Sequence, residues 1–194
     1  QSCGFGFPGL YLSMFMTTYL GFTAAQMGTV LFITKLIDFG CSVVAGGFVT
    51  ASNPKKGKYL PWMRTLRFVI AIGAILQMLY IPDASFVLKS AIIIVGYAML
   101  HGSMNFMQTA SYGLLASMAG ANMEDRMALT SRQSQCSAAG SIILSFGTLP
   151  LINFIGEKVG NPALGYTYVT AFCTLFLILG VEILTQYAKP YDVN

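Results

Sequence analysis

LGFTAAQMGTVLFITKLIDF, residues 20–39, decides how this chain is read. It opens on small and polar residues, turns into an oily run, and then places Lys35 and Asp38 three residues apart inside that run. Residues 1–34 carry no charge at all, so the first charges of the chain fall in the middle of an apolar helix rather than at its ends. Burying a charge at that depth in hydrocarbon costs at least about 2.5 kcal/mol. Two readings follow. Lys35 and Asp38, about one turn apart, neutralise each other and hold helices together. Alternatively, Asp38 faces a watery cavity and binds a cation or a proton, with Ser42 one turn further on.

Composition agrees with lipid as the main solvent. The 194 residues are 55% hydrophobic and only 9% charged, where a soluble domain carries roughly 25% charged residues. The net charge of +4 is explained by where the basic residues lie and gives no nucleic-acid signal. Cys3, Cys41, Cys136 and Cys173 stand far apart with no CxxC pair, which argues against a structural zinc site or a redox pair. No nucleophile–base arrangement or metal-ligand cluster at useful spacing points to an enzyme, and no cofactor motif is present. The start, QSCGFGFPGLYLSMF, lacks an initiator Met and a basic leader, and reads as a helix entered partway along a longer gene product.

A spanning helix needs about 20 mainly apolar residues. On that length the chain divides into an all-α polytopic membrane protein of six helices, at about 3–20, 26–49, 66–81 (with a start nearer Trp62 as the alternative), 88–117, 129–154 and 164–186. TASNPKKGKYLPWMR, IPDAS, AGANMEDR and GEKVGNPALG are the loops. Gly40, Ala45, Gly46 and Gly47 are expected to let the second helix approach a neighbour closely. Lys55, Lys56, Lys58, Arg64, Arg67, Arg126, Arg132 and Lys189 gather on one side, against Lys89 and Lys158 on the other. That bias places both ends of the segment in the cytoplasm of a plasma membrane.

A second polar constellation lies in HGSMNFMQTASYG, residues 101–113. His101, Asn105, Gln108 and Tyr112 follow one another at steps of four, three and four, which sets them on one helix face. Such a stripe is either glue between helices or the wall of a cavity for a polar solute. His101 also titrates near neutral pH and is a possible proton carrier. Arg132 either pairs with Asp38 across the bundle or reaches to phosphate headgroups.

Three stretches carry a resemblance. LGFTAAQMGTVLFITKLIDF, GKYLPW (57–62) and MEDRMALTSRQ (123–133) are similar, in that order, to the glycoside–pentoside–hexuronide cation symporters, the melibiose-carrier-like branch of the major facilitator superfamily. The likeness covers the whole chain but only the N-terminal six-helix half of such a twelve-helix transporter. It implies a major-facilitator-type six-helix bundle and secondary active transport of a sugar or glycoside, by proton- or sodium-coupled symport. The other half would come from the same gene product or a second copy. The alternatives are an uncoupled uniporter or exchanger, and a non-transporting scaffold or receptor. By the same resemblance, Asp38 belongs to the cation site, Lys35 and Arg132 balance charge, and Tyr112 lies near the sugar. Ser42 and Gln108 stand where the family has further carboxylates. Ser2 stands where it has an acidic residue that grips sugar hydroxyls. Asp38 is then the single carboxylate left for coupling, with Ser42 and Gln108 offering neutral oxygens. Asn105, Gln108 and Tyr112 line the substrate cavity, and the coupling ion is H+ or Na+.

Overall fold

The structure, a computed structural model, describes residues 2–52, 57–120 and 122–192, with side chains from Pro8 onward. It is all helix in its regular elements: α1 Ser2–Thr18, α2 Ala24–Ala51, α3 Leu60–Gln77, α4 Phe86–Tyr97, a π-turn Ala98–Gly102, α5 Ser103–Ala119, α6 Met123–Val159, α7 Pro162–Tyr187 and a 3-10 turn Lys189–Tyr191. The elements α4, π-turn and α5 run on as one rod from Phe86 to Ala119. Among the described residues, four rods are long and apolar enough to cross a membrane: Ala24–Ala51, Phe86–Ala119, Met123–Val159 and Pro162–Tyr187. The other two, α1 and α3, are 17 and 18 residues long.

Rod ends fall where polar side chains can take over the orphaned N–H groups of a helix start. Thr23 and Gln26 form a reciprocal capping box at α2, with Thr23 N donating to Gln26 Oε1 at 3.0 Å and Gln26 N donating to Thr23 Oγ1 at 3.3 Å. This box explains the break inside LGFTAAQMG and starts α2 two residues ahead of the sequence expectation. Ser85, Asn122 and Asn161 cap α4, α6 and α7 by accepting one backbone N–H each through their side-chain oxygens. The Asn122 cap, with Glu124 and Asp125 in the first turn, starts α6 well ahead of 129. Pro61 lies in the first turn of α3, where its missing N–H is harmless, and α3 begins at Leu60 rather than 66.

In the bundle, α3 packs on α7 and on the α4–α5 rod, α7 also packs on α6 and α1, and α2 packs on α5. Two buried apolar clusters lie at opposite ends. One gathers Phe15, Met16, Met78, Ile93 and Tyr166; the other gathers Val49, Met63, Ile70, Leu100, Met107 and Leu177. Phe15 and Tyr19 pack their rings on Tyr166, with centroids 5.6 and 5.3 Å away.

The close crossings are made by glycines the sequence reading did not single out. A Cβ on Gly73 would stand 2.6 Å from Leu100 N, and one on Gly96 would stand 2.7 Å from Gln77 N, so α3 and α4 touch backbone to backbone. Gly165 does the same between α7 and α6, where a Cβ would meet Ile152 O at 2.6 Å. In lipid, where apolar surface gains little by leaving the solvent, such contacts hold helices through packing. The expectation for α2 is corrected. Ala45 is buried, but a Cβ on Gly40, Gly46 or Gly47 would meet nothing within 4 Å among the described residues. Their small size serves no close approach among the described residues of this bundle.

Replacing Gly96 by Ala should force the α3–α4 crossing apart and destabilise the folded protein by about 2 kcal/mol. Gly46→Ala, made on open space, should leave stability unchanged. Thermal unfolding of the two variants in the same detergent compares them directly.

Candidate functional site

Packing of α2 against α5 brings Asp38, near the middle of its helix, to Asn105. The Asn105 amide donates from Nδ2 to Asp38 Oδ1 at 2.9 Å and lies 3.5 Å from the Asp38 carbonyl oxygen. Asp38 and Asn105 are both half-buried. A carboxylate at this depth thus receives a hydrogen bond from a neutral donor on another rod.

Lys35 does something else. Among the described residues the ion pair within 4.0 Å is Arg67–Glu182, between α3 and α7. The Lys35 ammonium instead sits 5.4 Å from the centre of the Tyr97 ring, a cation–π arrangement. Lys35 and Asp38 make no ion pair within 4.0 Å. Spacing of three residues puts them on neighbouring stripes of one helix, and each stripe meets a different neighbour.

The π-turn stands beside this arrangement. Tyr97, the last residue of α4, stacks on His101 with ring centres 3.7 Å apart and planes 6° from parallel. His101 is buried, at 6% exposure, and Gly102 after it lies so close to α2 that a Cβ there would stand 3.3 Å from Cys41 Sγ. A π-turn inside an α-helix is rare and shifts the phase of everything beyond it, and such turns occur frequently at functional sites. Here it separates the Tyr97–His101 stack from the α5 face that carries Asn105, Gln108 and Tyr112.

The four-residue stripe on α5 is accordingly divided. His101 is enclosed and Asn105 is held on Asp38. Gln108 and Tyr112 are exposed and bond to each other, Nε2 to the phenol oxygen at 3.3 Å. These two open onto a cleft of about 680 Å³ between α5, α6 and α7. Opposite them, α6 contributes Gln133, Ser134, Ser137 and Ser141, while Met63, Leu177 and Val181 supply apolar surface. The polar α6 wall was missed in the sequence. Its signal is present in SRQSQCSAAGS, where positions 133, 137 and 141 recur every four residues on one helix face. Asp38 and Asn105 do not line the cleft.

The remaining predicted residues stand apart from this geometry. Arg132 is exposed, does not line the cleft, and makes no ion pair with Asp38. It is one residue before Gln133, on a different stripe of α6. Ser42 is exposed on α2 and takes no part in the Asp38–Asn105 bond. Ser2 opens α1, with its side chain outside the described residues; Lys55 and Lys56 also lie outside them.

Bilayer-length apolar rods with a carboxylate and a polar cleft among them define a polytopic membrane protein. Residues 6–193 match the MFS/sugar transport protein family, and the chain belongs to that family of transporters, which are not enzymes. It is 28% identical over 178 residues to YagG of Escherichia coli (strain K12), a candidate glycoside/cation symporter, covering 91% of this chain and 37% of that protein. It is 25% identical over 193 residues to a candidate 2,3-dihydroxypropane-1-sulfonate exporter of Salmonella typhimurium, covering 94% and 41%. Against the isoprimeverose transporter of Lactiplantibacillus pentosus it is 23% identical over 168 residues, covering 85% and 34%. The chain thus spans about two-fifths or less of the length of these relatives. No significant match to a solved structure is found.

Removing the Asn105 amide should free the Asp38 carboxylate. In Asn105→Ala, labelling of Asp38 by a carbodiimide, read by peptide mass spectrometry, should rise severalfold over wild type.

Proposed function

We propose that this chain forms a six-helix half of a carrier that moves a sugar or glycoside across a bacterial inner membrane by secondary active transport, coupled to H+ or Na+. The observation that carries the reading is Asp38, a carboxylate deep in a membrane rod, held by Asn105 and not neutralised by a contact with Lys35. An ionisable group kept at that depth is by default a functional one.

In this reading Asp38 takes up the coupling cation, and Lys35 and Arg132 set the background charge around it. Ser42 and Gln108 are the neutral oxygens left nearest the coupling role by the family resemblance. Gln108 and Tyr112 of α5 face Gln133, Ser134 and Ser137 of α6 across the substrate path, with Asn105 beside it on Asp38. By the resemblance Ser2 grips substrate hydroxyls, and His101 is a further candidate proton carrier. Hydroxyl and amide groups on an apolar floor suit a polyhydroxylated solute, which presents both donors and acceptors and a hydrophobic ring face. The basic end of the bundle faces the cytoplasm. The apolar faces of α2 and α6 left open, including Phe32, Phe39, Ile143 and Phe146, meet lipid or a second six-helix half. That half comes from the same gene product or a second copy. Alternating access then rocks one half against the other around a midplane site.

An uncoupled uniporter or exchanger is the second reading. The neutral residues Ser42 and Gln108 favour it, since they leave Asp38 as the lone carboxylate of the cation site implied by the resemblance.

Asp38→Asn, placed in the full-length natural product and assayed in membrane vesicles, should lose gradient-driven accumulation of the solute while keeping counterflow exchange. Undiminished accumulation in that variant would remove Asp38 from coupling. Gln108→Ala and Tyr112→Ala should each raise the KM for uptake at normal membrane levels of the protein; unaltered KM in both would return them to packing.

A further inference from the structure

The start of α3 has no cap of its own. Tyr59 precedes it and offers no side-chain bond to the helix, although a helix start leaves several N–H groups without partners. The missing acceptor arrives from 132 to 134 residues away. Asp192 Oδ1 accepts hydrogen bonds from Lys58 N at 3.0 Å and Tyr59 N at 2.9 Å, and Oδ2 accepts one from Leu60 N at 2.9 Å. A carboxylate holding three amides at the positive end of a helix is a strong, charge-assisted contact.

Both sides are shaped for it. Gly57 has φ +101°, and a Cβ there would stand 2.2 Å from Asp192 Oδ2, so only glycine admits the carboxylate. On the other side, Ala188 is buried after the end of α7. The 3-10 turn Lys189–Tyr191, closed by Tyr191 N donating to Ala188 O at 3.0 Å, then carries the chain to Asp192. The capped loop in turn bears on α5. The Tyr59 ring lies against Gly113, where a Cβ would meet it at 2.3 Å, and Gly113 directly follows Tyr112 of the cleft. Trp62 adds a second hold, donating from Nε1 to Ser52 Oγ at 2.8 Å and stacking on Phe106 of α5.

We propose that Asp192 is a clasp that binds the segment leaving α7 to the loop entering α3. Through Tyr59 on Gly113, residues 57–60, residues 188–192 and the α5 wall of the cleft are thereby made into one rigid rim. The clasp goes beyond the transport reading and does not depend on which solute or ion is carried.

The test is backbone hydrogen exchange by mass spectrometry on the full-length natural product in lipid nanodiscs. In wild type, the amides of Lys58, Tyr59 and Leu60 should exchange slowly despite standing at a helix start. Asp192→Ala should speed exchange about tenfold or more both there and in 188–192, with the α3 interior, Ile70–Gln77, unchanged as the folding control. Gly57→Ala, which keeps the carboxylate but displaces it, should loosen the same two segments. Unchanged exchange at 58–60 in both variants overturns the clasp. So does loosening of 57–60 with 188–192 still protected, which would make Asp192 a cap only. Uptake is not read, so a failure of the carrier reading leaves this test standing.

Discussion

Hydrocarbon offers no hydrogen bonds, and the architecture of this chain follows from that constraint. Within a rod the backbone satisfies itself, so the exposed obligations are concentrated at rod ends and at any interruption. Each described rod start from α2 onward meets them by one of three means. A nearby Ser, Thr or Asn caps α2, α4, α6 and α7. Pro61, which has no N–H to satisfy, sits in the first turn of α3. Asp192 supplies the rest of that start from the far end of the described chain.

The same constraint gives meaning to the polar groups that remain between the ends. Asp38, Asn105 and Lys35 lie where water is scarce, and each has a specific neighbour: an amide for the carboxylate, an aromatic face for the ammonium. The π-turn sits where the α4–α5 rod crosses α2, next to the Gly73–Gly96 crossing with α3. A rod held by backbone contacts with α3 on one side and by the Cys41 side chain of α2 on the other has little freedom to rotate. An extra residue in one turn changes the phase of α5 without changing its axis. The outcome is that Tyr97 and His101 are enclosed while Gln108 and Tyr112 open onto the cleft.

The cleft and the clasp occupy the same end of the bundle and share α5. Tyr112 faces the open volume, and Gly113 beside it receives Tyr59. The polar wall of α6 opposite stands in a long stretch whose residues are mostly exposed, from Met123 to Ile143, before Leu144 enters the apolar core. A segment so lightly packed against its own bundle is suited to make contacts outside it.

The membrane class was readable from the residues alone, because a low charge content and long apolar runs are visible without knowing any contact. The sequence also marked Asp38 as the unusual charge, since hydrophobic period and charge position are local properties. His101, Asn105, Gln108 and Tyr112 were legible as a stripe for the same reason. Only the tertiary structure decided what each of them meets. Asn105 rather than Lys35 became the partner of Asp38 because helix–helix packing, not spacing along one helix, chooses which stripe faces which neighbour. The division of the α5 stripe, the use of Gly73 and Gly96 in place of Gly40, Gly46 and Gly47, and the reach of Asp192 to Leu60 were equally hidden. Each depends on contacts between residues far apart in the chain, and such contacts leave no periodic trace in the local sequence.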